Sequence, residues 1–150
     1  WKGGREKAPA AICRKVAYVP PSGGSVEVWG DGKQTRSFLY IDECIEATRR
    51  LMDSDFQGPV NIGSEEMVTI DELVDITAKV ANKVVTKVYD LSAPRGVMGR
   101  NSNNDLIKKE LDWDYEQSLE EGIRKTYGWI AWEISKEMYS EENTVSMNLN

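Results

Sequence analysis

Apolar residues recur every three to four positions in several stretches of the chain, which predicts helices with one buried face. Pro9 suits the first turn of the earliest helix, because the amide proton it lacks would have no partner there. Ser/Thr-x-x-Glu spacing at Thr69 and Ser118 predicts two further helix starts closed by capping boxes. The predicted helices lie near residues 9–17, 43–53, 70–81 and 102–111 and from 118 to about 139, and residues 140–150, which have no period, are predicted to form a disordered tail.

Shorter apolar runs predict strands. Residues 25–30 alternate in polarity, residues 37–41 form a short apolar run that leads to Asp42 as a helix cap, and residues 59–63 and 83–91 are near-continuous apolar runs of the kind found in buried strands. Strands and helices alternate at least twice, so the predicted fold class is α/β. These strands are too few to make a covered sheet by themselves, and we therefore expect their partners to lie outside the 150 residues.

The composition is that of one ordinary globular domain, with 40% hydrophobic and 29% charged residues in a chain of 150. No run approaches the roughly 20 apolar residues that cross a bilayer, and no leader segment is recognisable, so we expect a soluble cytoplasmic protein. Histidine is absent, and Cys13 and Cys44 are the two cysteines. This set predicts neither a metal site nor a disulfide scaffold.

The charge is unevenly distributed along the chain. Residues 1–40 carry a net charge of +4 and the remaining 110 residues carry −10, which together give −6. The overall negative charge argues against nucleic-acid binding, and the basic first segment indicates a local anion site or a scatter of solvated charges. Within it, Arg36 follows a glycine-bearing loop, as Arg100 does later in the chain. Two guanidinium groups beside flexible loops could hold a diphosphate, and the alternative is two surface arginines near turns.

Lys7 stands at the predicted start of the first helix, and Lys15 lies two turns further along it. The positive end of a helix attracts anions and makes a nearby lysine easier to deprotonate. Lys7 is therefore a candidate proton donor, and the alternative is a solvated helix cap.

Three segments resemble the extended short-chain dehydrogenase/reductases that act on nucleotide sugars: WGDGKQTRSFLYIDE (29–43), PVNIGSEEMVTIDEL (59–73) and LIKKELDWDYEQSLEEGIRKTYGWI (106–130). Two more, WKGGREKAPAAICRK (1–15) and RGVMGRNSNNDLIKK (95–109), resemble the GDP-mannose 3,5-epimerase family in particular. The resemblance implies the substrate-binding portion of an NAD(P)-binding Rossmann-type enzyme. One departure is Asp112-Trp113-Asp114, which stands where Gly-Trp-x-Pro is usual in the family.

The resemblance also implies roles for single residues. Lys7 matches the lysine acid/base of the family, which acts opposite a cysteine on the other face of the sugar, and neither Cys13 nor Cys44 fits that cysteine. Arg36 and Arg100 match arginines that hold the GDP diphosphate. Substrate-contacting positions are matched, besides Lys7 and the two arginines, by Glu6, Ala8, Lys15, Gln34 and Thr35.

The activity implied is NAD-dependent epimerisation at C3 and C5, which converts GDP-mannose to GDP-L-galactose in an intact homodimeric enzyme. We expect residues 1–139 to be its substrate-binding C-terminal domain. Because the glycine loop that binds NAD would precede Trp1, we expect the N-terminal Rossmann domain to be absent from this chain, which alone would be inactive. The alternatives are a nucleotide-sugar 4-epimerase or 4,6-dehydratase of the same superfamily, and a non-catalytic nucleotide-sugar-binding module.

Overall fold

The computed structural model of the protein describes residues 1–2, 4, 6–94 and 96–147, with side chains as far as Tyr139. Helices and strands follow one another in the order α1 (Ala8–Tyr18), β1 (Gly24–Trp29), β2 (Thr35–Ser37), α2 (Ile41–Asp53), β3 (Met67–Thr69), α3 (Ile70–Ala81), β4 (Val85–Asp90), β5 (Gly99–Arg100), α4 (Asp105–Leu111) and α5 (Leu119–Met147). This mixture confirms the α/β class.

The main core lies between α1, α3 and α5, whose apolar faces pack against one another and against β1. Cys13 and Val16 of α1, Leu73 of α3 and Ile130 of α5 are completely buried there. Two helix starts are those that the sequence predicts: Pro9 occupies the first turn of α1, and Thr69 and Glu72 form a complete capping box at α3. These interactions satisfy backbone N–H groups that have no partner inside the helix.

β1 and β4 form a two-stranded parallel sheet, in which Gly24 pairs with Val85 and Trp29 with Asp90. Val26 and Val28 point into the main core. The prediction that residues 83–91 form a fully buried strand is half wrong, since β4 exists but its Val88 is 53% exposed. Within the described residues, helices cover one side of this sheet, and the residues of β4 are half-buried or exposed.

β2 is the centre of a second sheet, antiparallel to β3 and parallel to β5. The predicted strand over residues 37–41 is wrong in its position, because the strand ends at Ser37 and α2 begins at Ile41. Phe38 packs against the main core and Leu39 against the second cluster defined below, so packing rather than strand pairing holds these residues. Tyr40, not Asp42, is the N-cap of α2, and Asp42 lies in its first turn, where a carboxylate favours the helix dipole.

The predicted strand at residues 59–63 is not formed. Val60 and Ile62 nevertheless pack inward, against a second cluster formed by Ala47 of α2, Ile107 of α4 and Trp113. The predicted burial of this segment is thus real, but a strand also needs backbone hydrogen bonds to a neighbour. Its contacts in the described part of the chain are instead side-chain hydrogen bonds with Asn103 and Asn104.

α4 ends at Asp112, which adopts a left-handed conformation with φ of 45°. Glycine enters that conformation without steric cost, so the Gly that the resemblance leads us to expect at this position suits the observed backbone. Further on, α5 remains helical through Met147, whereas the sequence predicts an irregular tail from Ser140. Residues 140–147 contain no Gly or Pro to end the helix, and residues 148–150 lie outside the described part.

Neither cysteine is in a disulfide. Among the described residues, no helix is both long and apolar enough to cross a membrane, and no group of three or more His, Cys, Asp or Glu side chains is arranged to hold a metal ion.

Candidate functional site

Lys7 is the N-cap residue of α1 and its side chain is exposed. Its backbone carbonyl accepts the first helical hydrogen bond, from the N–H of Ala11 at 3.0 Å. Ala8 begins the helix and packs against the main core, which fixes the direction in which the segment before it leaves. The ammonium of Lys7 therefore projects from the positive end of α1, as the sequence predicts.

Glu6 is buried beside Lys7, with a side chain only 6% exposed. One of its carboxylate oxygens, Oε1, accepts a hydrogen bond of 2.5 Å from Nη2 of Arg14, two turns along α1. The pKa of Glu6 is lowered by a hydrogen bond from its own backbone N–H and by the Arg14 guanidinium. The other oxygen, Oε2, is buried without a partner in the described part of the protein, as is Nε of Arg14.

Lys15 is directed to β1 and not to the start of the helix. Its ammonium donates to the backbone carbonyl of Glu27 at 2.9 Å and to the Glu27 carboxylate at 3.2 Å. The pKa of Glu27 is lowered first by a hydrogen bond from the Trp29 indole and then by Lys15. Two of the three donors of Lys15 are thus engaged, which leaves one for a ligand.

Gln34, Thr35 and Arg36 lie at the start of β2. The amide of Gln34 is buried, and its Nε2 donates to the carbonyl of Trp29 at 3.0 Å while its Oε1 has no partner in the described residues. The backbone N–H of Thr35 donates to the carbonyl of Met98 at 2.8 Å. This bond joins β2 to the loop before β5.

Arg36 and Arg100 are direct neighbours on β2 and β5, in register in the parallel pair. Paired residues of adjacent strands project to the same side of a sheet, at a strand separation of about 4.8 Å. Arg36 is half-buried and donates to the carbonyls of Thr35 and Val97, each at 2.6 Å. Arg100 is exposed. The two arginines, which are 64 positions apart in the chain, are thereby brought together.

The structure forms two groups of candidate residues: Glu6, Lys7 and Ala8 at the start of α1, and Gln34, Thr35, Arg36 and Arg100 on the second sheet. Within the described residues, no hydrogen bond or ion pair joins Lys7 to either arginine. A shallow pocket of about 150 Å³ is lined by Pro9, Phe38 and the start of α5, next in the chain to both groups, but no candidate residue lines it. A larger cleft of about 460 Å³ lies between α2, α4 and the α4–α5 connection, and no candidate residue lines it.

Two residues that support the candidate site are not among the sequence predictions. Arg14 holds Glu6, and its signal in the sequence is an opposite charge eight positions away. Asn104, which is fully buried, donates from Nδ2 to the carbonyl of Gly63 at 2.8 Å and accepts from Ser102 Oγ at 2.6 Å. It thereby anchors the segment after Arg100 to the loop after residue 62, where a Cβ on Gly63 would lie 2.6 Å from that of Ser102.

The described residues do not fit the pyrophosphate of a dinucleotide. That group binds where a strand passes through a glycine-rich loop into the N-terminus of a helix. Here β1 is followed by a turn and β2, and β4 by an irregular loop and β5. The strands that do precede a helix lack the glycine-rich loop: β2 reaches α2 through residues 38–40 and β5 reaches α4 through residues 101–104, neither of which contains glycine, and β3 passes directly into α3. A dinucleotide site of this kind is therefore not formed by the part of the chain that the structure describes.

Comparison with known proteins identifies the class. The model of the NAD dependent epimerase/dehydratase family matches residues 2–63. The fold is similar to that of UDP-glucose 4-epimerase from Thermotoga maritima, with a TM-score of 0.77 and 23% identity over 87% of this chain and 41% of that one. UDP-glucuronic acid 4-epimerase from Bacillus cereus gives a TM-score of 0.74 and 25% identity over 83% of this chain and 40% of that one. Over residues 2–63 the chain is thus similar to the NAD dependent epimerase/dehydratase family.

Within that family, the sequence is 51% identical over 137 residues to GDP-mannose 3,5-epimerase of Arabidopsis thaliana, which covers 91% of this chain and 35% of the relative. GDP-mannose 3,5-epimerase 1 of Oryza sativa subsp. indica is 50% identical over the same shares. The chain spans about a third of the length of these relatives.

Proposed function

We propose that this chain is the substrate-binding part of an NAD-dependent GDP-mannose 3,5-epimerase, in which it binds the GDP-sugar and supplies Lys7 as an acid/base. The observation that carries the proposal is the registered pairing of Arg36 with Arg100 on adjacent strands. The sequence identity to GDP-mannose 3,5-epimerases supports the particular substrate.

The paired arginines suit a diphosphate. Two guanidinium groups on the same side of adjacent strands present several N–H donors close together. The two phosphates of a diphosphate are covalently joined and so also lie side by side. Arg36 keeps N–H groups free after its two bonds to backbone carbonyls, because a guanidinium has five donors. Binding energy from this remote part of the substrate holds the sugar in place without acting on the reacting carbons.

Lys7 would act on the sugar. Its exposed ammonium can return a proton to a ring carbon and favours negative charge that develops on the substrate. Glu6 Oε2 and Gln34 Oε1 are buried acceptors without a described partner, which suits them to accept hydrogen bonds from sugar hydroxyl groups. Ala8, Lys15 and Thr35 complete the proposed contacts.

NAD, when bound, supplies the oxidation and reduction of the sugar. Because the described residues do not form a dinucleotide site, we place NAD in a Rossmann domain outside these 150 residues and assign residues 1–139 to the substrate-binding domain. The intact protein would be a homodimer.

Calorimetric titration of the chain with GDP-mannose, GDP and UDP-glucose tests the binding part of the proposal. We expect both guanosine nucleotides to bind and UDP-glucose to bind more weakly. Failure of GDP-mannose to bind would contradict the proposal.

Catalysis is tested by joining the chain to the NAD-binding portion of the Arabidopsis relative and measuring GDP-L-galactose formation. We expect Lys7→Ala to remove turnover and to leave GDP binding intact, because the diphosphate contacts lie on the second sheet. Lys109→Ala, which removes an exposed lysine of α4, is the matched control. Activity retained by Lys7→Ala would show that the proton comes from another group, and turnover by the 150-residue chain alone would contradict the placement of NAD.

A further inference from the structure

Arg14 forms an ion pair with Glu6, and Arg14 has no role in the function proposed above. It is located in the second turn of α1, and its guanidinium donates to Glu6, which precedes the helix. The contact spans eight residues, so it folds the segment before the helix back along the helix surface. Lys7 is the residue between the end of that segment and the first turn of α1.

The segment before α1 is held at its start, where Trp1 packs against the main core and lies edge-on to Trp129, and Lys2 pairs with Glu137. Nearer the helix, the Glu6–Arg14 ion pair holds it. Lys7 makes no side-chain cap to α1, and Gly4 adopts a positive φ of 78°. By contrast, the side chain of Glu6 is only 6% exposed, whereas that of Arg14 is 30% exposed. Arg14 is therefore the residue that pairs with the buried negative charge of Glu6, directly beside the proposed acid/base Lys7.

The pair is incompletely satisfied. A bidentate pair would use both oxygens of the carboxylate and two N–H groups of the guanidinium. Here one hydrogen bond is made, and Glu6 Oε2 and Arg14 Nε are both buried without a partner in the described residues. Buried polar groups are almost always paired, and exceptions point to a partner that arrives separately or to a functional role. A pair kept for stability alone would be expected to close both bonds.

We propose that Arg14 is a positioning residue, which through Glu6 fixes the segment that carries Lys7 and holds the free Glu6 oxygen ready for the sugar of a bound GDP-hexose. The inference rests on the function proposed above and adds to it a residue that acts without touching the substrate. Arg14 would set affinity for the sugar and the rate of proton transfer, while Arg36 and Arg100 set affinity for the diphosphate.

The test separates the sugar from the nucleotide. Titration of the chain and of Arg14→Ala with GDP-mannose and with GDP is expected to show a loss of GDP-mannose affinity of about tenfold, with GDP affinity unchanged. Arg14→Lys keeps the positive charge and is expected to recover part of the loss. Arg124→Ala, an exposed arginine of α5 that pairs with Glu120, is the matched control and should behave as the unaltered chain does.

Glu6→Gln changes the other partner of the ion pair and removes its negative charge while keeping the shape of the side chain. We expect it to weaken GDP-mannose binding, and we expect the double variant Glu6→Gln/Arg14→Ala to lose less than the sum of the single losses, because both changes break one interaction. In the enzyme joined to an NAD-binding portion, Arg14→Ala should lower kcat more than it changes the KM for GDP-mannose relative to Arg124→Ala.

Equal weakening of GDP and GDP-mannose by Arg14→Ala would show a general structural role and overturn the inference, as would unchanged affinity for both. If Arg14→Ala does not fold, the same criteria apply to Arg14→Lys and Glu6→Gln. A chain that binds GDP but does not distinguish GDP-mannose from GDP would overturn the inference about Arg14 and leave the diphosphate site standing, whereas a chain that binds neither would overturn the proposed function itself.

Discussion

Removal of one arginine at a time separates ligand binding from loop anchoring on the second sheet. Arg100 is exposed on β5 and its side chain makes no hydrogen bond within the described residues, so Arg100→Ala removes its proposed contact with the ligand and little else. Arg36 also donates to the carbonyls of Thr35 and Val97, and Val97 lies in the loop before β5. Arg36→Ala therefore removes a ligand contact and also releases this loop.

The magnitudes follow from these contacts. A hydrogen bond from a charged donor contributes about 1.5–3 kcal/mol, and the exposure of Arg100 favours the lower end, which corresponds to about a tenfold rise in the Kd for GDP. Arg36→Ala should weaken GDP binding at least as much. In addition, the loss of two bonds to carbonyls, at about 1 kcal/mol each, should lower the free energy of unfolding and reduce the Tm by roughly 4–8 °C for a chain of this size.

Calorimetry with GDP and thermal unfolding followed by circular dichroism measure the two quantities on the same samples. Arg124→Ala again serves as the control, since its guanidinium pairs with Glu120 within α5. Unchanged GDP affinity in Arg100→Ala would refute the assignment of the paired arginines to the diphosphate. A Tm for Arg36→Ala equal to that of Arg100→Ala would refute the anchoring role.

Three further outcomes follow from the structure. Burial raises the pKa of Cys13 to about 12, so the native chain should show one thiol reactive toward a disulfide reagent at pH 8, that of the partly exposed Cys44, and two after denaturation. Asp112→Gly should raise the free energy of unfolding by about 0.5 kcal/mol, because glycine adopts the left-handed conformation without strain, and a lower midpoint in urea would contradict this. The pKa values of Glu6, Glu46 and Glu120 are lowered by hydrogen bonds, chiefly from backbone or from cationic side chains. A carboxyl group whose pKa is lowered in the folded state stabilises that state above its unfolded pKa of about 4.3. Urea midpoints should therefore fall as the pH drops below that value and stay level between pH 5 and 7.

The helix starts could be predicted from the sequence because their signals are local. Thr69 and Glu72 are three residues apart, and each satisfies a backbone N–H of the other's turn whatever the rest of the chain does. Strands are different. Residues 59–63 have the right alternation, and Val60 and Ile62 do pack inward, but a strand exists only where a second backbone lies beside it, which no pattern within five residues can report.

The candidate site divides in the same way. Glycine-bearing loops before Arg36 and Arg100 indicate two places where a backbone and a guanidinium could approach a phosphate. Their adjacency depends on the parallel pairing of β2 with β5 across 64 positions, which only the fold supplies. Likewise, the spacing of Lys15 from Lys7 predicts that both side chains lie on one face of the helix. In the structure the Lys15 ammonium is instead held by hydrogen bonds to Glu27 of β1.

The proposed epimerisation needs two acid/base groups on opposite faces of the sugar, and α1 shows why Lys7 rather than Cys13 is the candidate for one of them. Lys7 is the N-cap residue of α1 and its side chain is exposed. Cys13 lies on the apolar face of α1 with Ile12 and Val16 and is completely buried. A thiol of pKa about 12 is almost entirely protonated near neutral pH, and a buried one cannot reach a sugar bound at the surface. The apolar pattern of α1 already predicts from the sequence that Cys13 is buried, because Ile12, Cys13 and Val16 lie on one face of the helix. The second acid/base of the proposed reaction is therefore a group other than Cys13.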